Sequence, residues 1–249
     1  MIIRNIFSIL SITVLVLAAC NKDSSMGADA TSGTGKGGSL ARFTIAGNYL
    51  YLADWSSLKV FDISNPQQPV QKPTVNVGFG IETIFPYKDK LFIGSTQGMY
   101  IYTITNPATP IKQSSVQHLR SCDPVVANDS IAYVTLRGDD ACGPAESGLY
   151  IYDIRNIAGP IFKKIVPLSN PFGLALADSV VFVCRGFNGL SAVNVKNPLS
   201  PVILYTKSDG TYLDVIPYDN LLICYVSNGI LIYDATDLRN IVKIGTMNF

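Results

Sequence analysis

The sequence predicts an all-β fold, a five-bladed β-propeller of four-stranded blades, behind an exported leader and a flexible tether. Three observations carry the prediction: a strand–turn–strand unit repeats at a near-constant step, each unit ends in a similar Asn or Asp turn, and the composition suits strands. Charged residues make up only 15% of the chain while Val, Ile, Leu, Tyr and Phe are plentiful, which favours pleated, half-buried segments over exposed amphipathic helices. At 249 residues the chain is long enough to bury a full core. Lys and Arg total 19 against 18 Asp and Glu, and so close a balance lacks the electrostatic footprint of a nucleic-acid binder.

Residues 1–19 read as a lipoprotein signal peptide. Arg4 supplies the positive start, Ile6–Leu17 is an apolar run broken only by Ser8, Ser11 and Thr13, and Leu17-Ala18-Ala19-Cys20 closes it. The run is too short for a comfortable membrane span and ends in small residues, as secretory signals do. The tetrapeptide resembles the lipobox of bacterial lipoproteins, which implies that Cys20 is diacylated and becomes the mature N-terminus. Asn21-Lys22-Asp23-Ser24-Ser25 follows, and its Lys-Asp resembles the export signal of Bacteroidetes-type surface lipoproteins. The expected address is the outer membrane, lipid-anchored, facing the cell exterior or the periplasm. Residues 20–39 form the tether, because Ser, Gly, Thr and Ala from Ser24 onward leave too little apolar content to fold.

The propeller is expected over residues 40–249. Its unit is clearest in Leu91–Pro110, LFIGSTQGMYIYTITNPATP: a strand, a turn with Gly98, a second strand, then an Asn-Pro-x-x-Pro turn. The second strand recurs as Leu58–Ile63, Met99–Ile104, Leu149–Ile154, Leu190–Val195 and Ile230–Ala235. The turns that follow begin at Asn65-Pro66, Asn106-Pro107, Asn156-Ile157, Asn197-Pro198 and Asp237-Leu238. Anchored on Asp62, Thr103, Asp153, Asn194 and Asp234, the steps are 41, 50, 41 and 40 residues. A period of roughly 40 built of short strands marks a propeller blade rather than a sandwich. Upstream of each motif a hairpin turns at Asn48, Asp89, Asp129, Asp178 or Asp219, where an Asx side chain bonds nearby backbone and tolerates unusual dihedrals. Gly80–Tyr87 and Lys90–Ser95 are one such pair, and a fourth strand such as Ile111–Val116 follows the proline turn.

The motifs resemble the LVIVD repeat family, in which a Leu-x-Ile-x-Asp core strand precedes an Asn/Asp-Pro-x-x-Pro turn. Leu149-Tyr150-Ile151-Tyr152-Asp153-Ile154 matches best, and the resemblance runs through nearly all of residues 42–249. Asn194 replaces the Asp in copy four, and Asp237-Leu238 lacks both prolines in copy five, as suits a terminal unit with a different neighbour. The resemblance implies the fold more than an activity. The Asp of the repeat reads as structural, since function rarely sits in every blade.

Departures from the repeat gather on one face, here called upper, which carries the loops between blades and those between second and third strands. The 50-residue step comes from an insertion, Arg137–Glu146, in blade three. Trp55, Arg185, Phe187 and His118 fall on the same face, and loops on a rigid scaffold are where binding residues concentrate. Cys122 and Cys142 are expected to form a disulfide: a Cys122–Ala127/Ile131–Leu136 hairpin sets Cys122 opposite about Thr135, close to the insertion. It would close a loop of about 20 residues, worth roughly 3 kcal/mol in the chain-entropy model. Cys184 and Cys224 read as buried small hydrophobes. Glu82, Asp123 and Asp214 fall near the starts of their inner strands, and as a ring at the channel mouth they would suit Ca²⁺, against the plainer reading of a solvated polar rim.

The leading functional expectation is a binding or scaffold module, without cofactor, that holds a protein or glycan partner on the upper face, since aromatics and arginine anchor interfaces. An envelope assembly role for the whole disc is the alternative. A hydrolase at the upper mouth is less favoured: no nucleophile motif stands near His118, and two-carboxylate chemistry would need Glu82 with Asp123 or Asp214 at suitable spacing.

Overall fold

The computed structural model describes residues 38–118, 124–139 and 142–249, and their regular structure is all β. Blade 1 comprises β1 (Phe43–Ala46), β2 (Tyr49–Asp54), β3 (Ser57–Asp62), β4 (Val70–Gln71) and β5 (Val75–Asn76). Blade 2 is β6 (Ile81–Tyr87), β7 (Lys90–Ser95), β8 (Gly98–Thr103) and β9 (Ile111–Gln117). Blade 3 is β10 (Val125–Ala127), β11 (Ile131–Leu136), β12 (Gly148–Asp153) and β13 (Ile161–Pro167). Blade 4 is β14 (Leu174–Ala177), β15 (Val180–Cys184), β16 (Leu190–Asn194) and β17 (Val202–Lys207). Blade 5 is β18 (Tyr212–Tyr218), β19 (Leu221–Val226), β20 (Gly229–Asp234) and β21 (Val242–Asn248). Each blade is an antiparallel sheet whose strands pair in sequence order, save that β5 returns to pair β3 in blade 1, and the fold is the predicted five-bladed β-propeller.

Two details differ from the expectation. In blade 1 the fourth strand is split, with β4 and β5 each pairing β3 on either side of Pro73. Proline has no N–H to give to the ladder, so pairing lapses there and resumes at Val75. In blade 3 Val125 pairs Val134, and the Thr135 N–H reaches the Pro124 carbonyl, two residues along from the pairing expected for Cys122. Cys122 itself lies outside the described residues.

The repeat Asp and the turn Asn prove to be paired backbone caps. Oδ1 of Asp62, Asp153, Asn194 and Asp234 accepts the N–H two residues on, and the Thr103 hydroxyl does the same for Thr105. In the next turn Oδ1 of Asn65, Asn106, Asn156, Asn197 and Asp237 accepts the N–H of Gln67, Ala108, Ala158, Leu199 and Arg239. These bonds replace the ladder where the chain leaves the sheet. They hold the Asp62 carboxyl down at about 2, through the Ser64 hydroxyl first and then its N–H.

Blades meet face to face. One apolar cluster joins blades 1 and 2 around Tyr51, Leu58, Leu91 and Tyr102, and a second joins blades 2 and 3 around Phe92, Ile101 and Val134. A third joins blades 3 and 4 around Leu149, Ile151 and Val183, and a fourth joins blades 4 and 5 around Phe182, Tyr212 and Leu222. Hydroxyls pin three of these seams to the lower turn of the next blade: Tyr51 to the Pro107 carbonyl at 2.9 Å, Ser114 to Ile157 at 2.6 Å, Tyr205 to Leu238 at 2.9 Å.

Among the described residues no such cluster joins blades 5 and 1. Strands β11 and β15 are buried throughout and β7 in all but its first residue, whereas β2 and β19 are fully buried on one side only. Phe92 of β7 is fully buried, while Ile223, its register counterpart in β19, is half-exposed. In dilute protein Phe92→Ala is therefore expected to cost about 3–5 kcal/mol, and Ile223→Ala about 1 kcal/mol, by urea unfolding. Equal losses would mean that the fifth seam is filled in solution.

Candidate functional site

The inner strands run from the upper face down to the hairpin turns, and their first residues surround the upper mouth of the channel. A short segment of chain closes this mouth. Ser39 is buried there, and its Oγ accepts the Leu174 N–H at 2.7 Å and donates to Asp214 Oδ1 at 3.3 Å. The Leu40 N–H points to Asp214 Oδ2 at 3.4 Å, and the Val215 N–H to Oδ1 at 2.9 Å. On its other side the Ala41 carbonyl accepts the Ile84 N–H, so residues 38–41 reach from blades 4 and 5 to blade 2. Gly173 is required here: a Cβ would stand 2.1 Å from Asp214 Oδ1.

Asp214 is thus not a rim residue. Burial drives its carboxyl above the usual carboxylate range, against the pull of its hydrogen bonds. The expected ring of three carboxylates is not assembled by the described residues, because Asp214 is covered by Ser39 and Leu40, and Asp123 lies outside them. Among the described residues no group of three His, Cys, Asp or Glu is placed to hold a metal ion. The carboxylate that was to partner Glu82 in hydrolysis is engaged by Ser39 and Leu40. Glu82 is half-buried in a shallow cavity of about 280 Å³ with Leu40, Arg42, Pro124, Arg137 and Phe172. Beneath the closing segment the channel widens into a cavity of about 640 Å³, walled by Phe85, Val126, Leu176 and Ile216, with Asp178 and Asp219 near the hairpin turns.

The two arginines singled out by the sequence are engaged within the protein, each tying its loop to the connection between blades 3 and 4. Arg137 pairs with Asp139 at 3.0 Å, lies 4.2 Å over the Phe172 ring and has Nη2 3.0 Å from Cys142 Sγ. Arg185 donates to the Ser169 carbonyl at 3.2 Å, to Ser169 Oγ at 2.8 Å and to Ser191 Oγ at 3.1 Å. His118 is half-buried at the end of β9, its N–H on the Gln97 carbonyl. Cys142 is buried, while Cys184 and Cys224 are buried free thiols, as expected.

What stands out into solvent on the upper face is aromatic. Trp55, at the β2–β3 turn, is 60% exposed and Phe187, between β15 and β16, is 76% exposed. Sequence reasoning missed a third, Phe79, which is 70% exposed on the loop entering blade 2. The signal was its bracketing glycines. Gly80 has φ +68°, and a Cβ on it would stand 2.1 Å from Thr96 Oγ1, so the loop turns sharply and leaves Phe79 outside. Trp55 and Phe79 belong to one cluster, since the Trp55 carbonyl accepts the Ile81 N–H and Ser56 holds Val77 and Gly78.

Residues 37–77 match the LVIVD repeat. That span takes in blade 1, and the other four blades carry the same strand and turn pattern. No curated protein sequence matches the chain. Among solved structures it is similar to a functionally unknown protein from Desulfotomaculum acetoxidans, with a TM-score of 0.65, 13% identity, and coverage of 81% of this chain and 66% of that one. A protein from Lactobacillus plantarum gives 0.63, 12% identity, and coverage of 81% and 68%. AztD from Citrobacter koseri gives 0.58, 13% identity, and coverage of 82% and 63%. The likeness is one of fold, and the chain spans about three fifths to two thirds of the length of these structures.

Asp214 supplies a test of the closed mouth. Its folded pKa is raised, so the stability tied to its protonation is complete below the ordinary value of about 3.9 and is lost as pH rises through the raised one. Asp214→Asn keeps the shape and stays neutral. Its stability relative to wild type is expected to climb from pH of about 4 upward and then level off, in urea unfolding at stepped pH. A flat difference would show that the carboxyl titrates as if in water.

Proposed function

We propose that this chain is a lipid-anchored binding module that holds a protein or glycan partner against the upper face of its propeller. The observation that carries the reading is the exposure of three aromatics, Trp55, Phe79 and Phe187, on loops of one face; the other exposed aromatics, Phe43, Phe162, Tyr218, Tyr225 and Phe249, lie in strands or at the last residue. A large apolar side chain left in water forgoes about 1.5–3 kcal/mol of burial, and aromatics recovering that on binding are the usual anchors of an interface. Anchoring at Cys20, in the outer membrane, is supported by the lipobox-like Leu17-Ala18-Ala19-Cys20.

A disulfide between Cys122 and Cys142 belongs to the same proposal, as the device that stiffens the blade 3 insertion beside the mouth. Its support is the short chain separation, the burial of Cys142, and the Asp139 turn that holds Cys142 by its N–H at 2.7 Å. Alkylation of the unfolded, unreduced protein should label Cys184 and Cys224 and spare both Cys122 and Cys142. Labelling of all four would remove the bridge.

The triple variant Trp55→Ala/Phe79→Ala/Phe187→Ala should keep its urea midpoint and lose at least tenfold in affinity for whatever wild-type protein captures on a glycan array or by cross-linking on intact cells. Retention of wild-type capture would put the binding site elsewhere. Protease shaving of intact cells, followed by mass spectrometry against a periplasmic control, reads the side of the membrane: loss of the propeller with the control intact means exposure at the cell surface.

A further inference from the structure

The two end blades carry bare sheet faces of complementary kind. On blade 1 the face is Phe43, Ile45, Leu50, Leu52 and Phe61, paired across the sheet as Phe43–Leu52 and Ile45–Leu50–Phe61. On blade 5 it is Ile216, Ile223 and Ile232 in one cross-strand row and Tyr225, Ile230 and Met247 in the next. Phe43 is 61% exposed and Tyr225 47%, and most of the others are half-exposed. The register counterparts of Leu50 and Leu52 in blade 2 are Leu91 and Ile93, which are fully buried against blade 1. Terminal units of repeat proteins need a polar outer face to stay soluble. These outer faces are instead as apolar as the inner ones, so they are built to be covered.

What covers them follows from the repeat. Every filled seam joins the trailing face of one blade to the leading face of the next, and the bare faces are one of each: leading on blade 1, trailing on blade 5. Within one chain they stand open, although Ser39 and Leu40 already tie its start to Asp214 of blade 5. We propose that blade 5 of one copy packs on blade 1 of a second copy, head to tail, and so continues the propeller seam between molecules. Charge does not oppose the contact, because Lys59 on the blade 1 face is paired with Asp54 at 2.9 Å.

Six-residue strands are about 20 Å long and four of them span about 15–20 Å, so each face offers on the order of 300–400 Å². Two such faces fall short of a standard interface, which sets the expected association in the reversible, micromolar range. Head-to-tail contact either closes a ring or extends a chain, and both give species larger than a monomer.

The test is sedimentation equilibrium of the full-length chain in density-matched detergent. Wild type should show mass rising with concentration. Ile45→Glu spoils the leading face and Tyr225→Glu the trailing one. Each variant alone should be monomeric with an unchanged thermal melt, while an equimolar mixture should form a heterodimer through the two intact faces. A wild-type protein that stays monomeric at tens of micromolar would overturn the proposal. So would self-association surviving in one single variant, which signals a like-to-like contact. So would efficient disulfide formation within one chain of a dilute Leu52→Cys/Ile223→Cys variant, which means that the ring closes on itself.

Discussion

The packing of one sheet face on the next is the interaction on which the rest of this molecule depends. Inside a blade the backbone ladder satisfies the polar groups, but between blades the chain relies mainly on apolar side chains meeting across a seam. That demand writes the sequence. Strands with a neighbour on both sides, such as β7, β11 and β15, are apolar on both faces rather than alternating, as in any strand buried front and back. Loops, turns and the axial segment are arranged around this stack of sheets and would have nothing to hold on to without it.

The division of labour between the two faces of the disc follows from where the chain is constrained. On the lower side each blade must leave one strand, turn and re-enter the next, and the paired Asx and Thr caps do this alike in all five. That uniformity leaves little room for a specific surface. On the upper side the loops differ in length and composition from blade to blade, and Trp55, Phe79 and Phe187 stand in water there, the last two beside glycines of positive φ. At the upper end of the axis the chain itself lies across the mouth: buried Ser39 bonds Asp214, one of the carboxylates that the sequence suggested would stand open.

Blades, their number and their turns were legible because they arise from local chemistry repeated five times. The periodic strand and the Asn turn report on themselves within about ten residues. What stayed hidden depends on distant partners. Asp214 looks like any residue near the start of an inner strand, and it takes a serine 175 positions earlier to make it a post for the closing segment. Leu50 and Leu52 read the same as Leu91 and Ile93, because a side-chain pattern does not say whether a neighbouring sheet is present. Arg137 and Arg185 suggested outward anchors by residue type, yet a guanidinium has donors enough to be satisfied by neighbouring loops and strands of the same protein. Phe79 was overlooked for the opposite reason, since its meaning lies in the glycines around it.

Every sheet here is assembled from consecutive strands, and among the described residues no strand from one end of the chain completes a blade at the other. The chain is therefore written blade by blade. Each unit of about 41 residues holds its own strand-ladder partners, so a blade can pair its strands as the chain emerges and is completed when the next blade docks on its apolar face. The same contiguity makes duplication or loss of a whole unit at an end topologically harmless, because nothing has to be rethreaded.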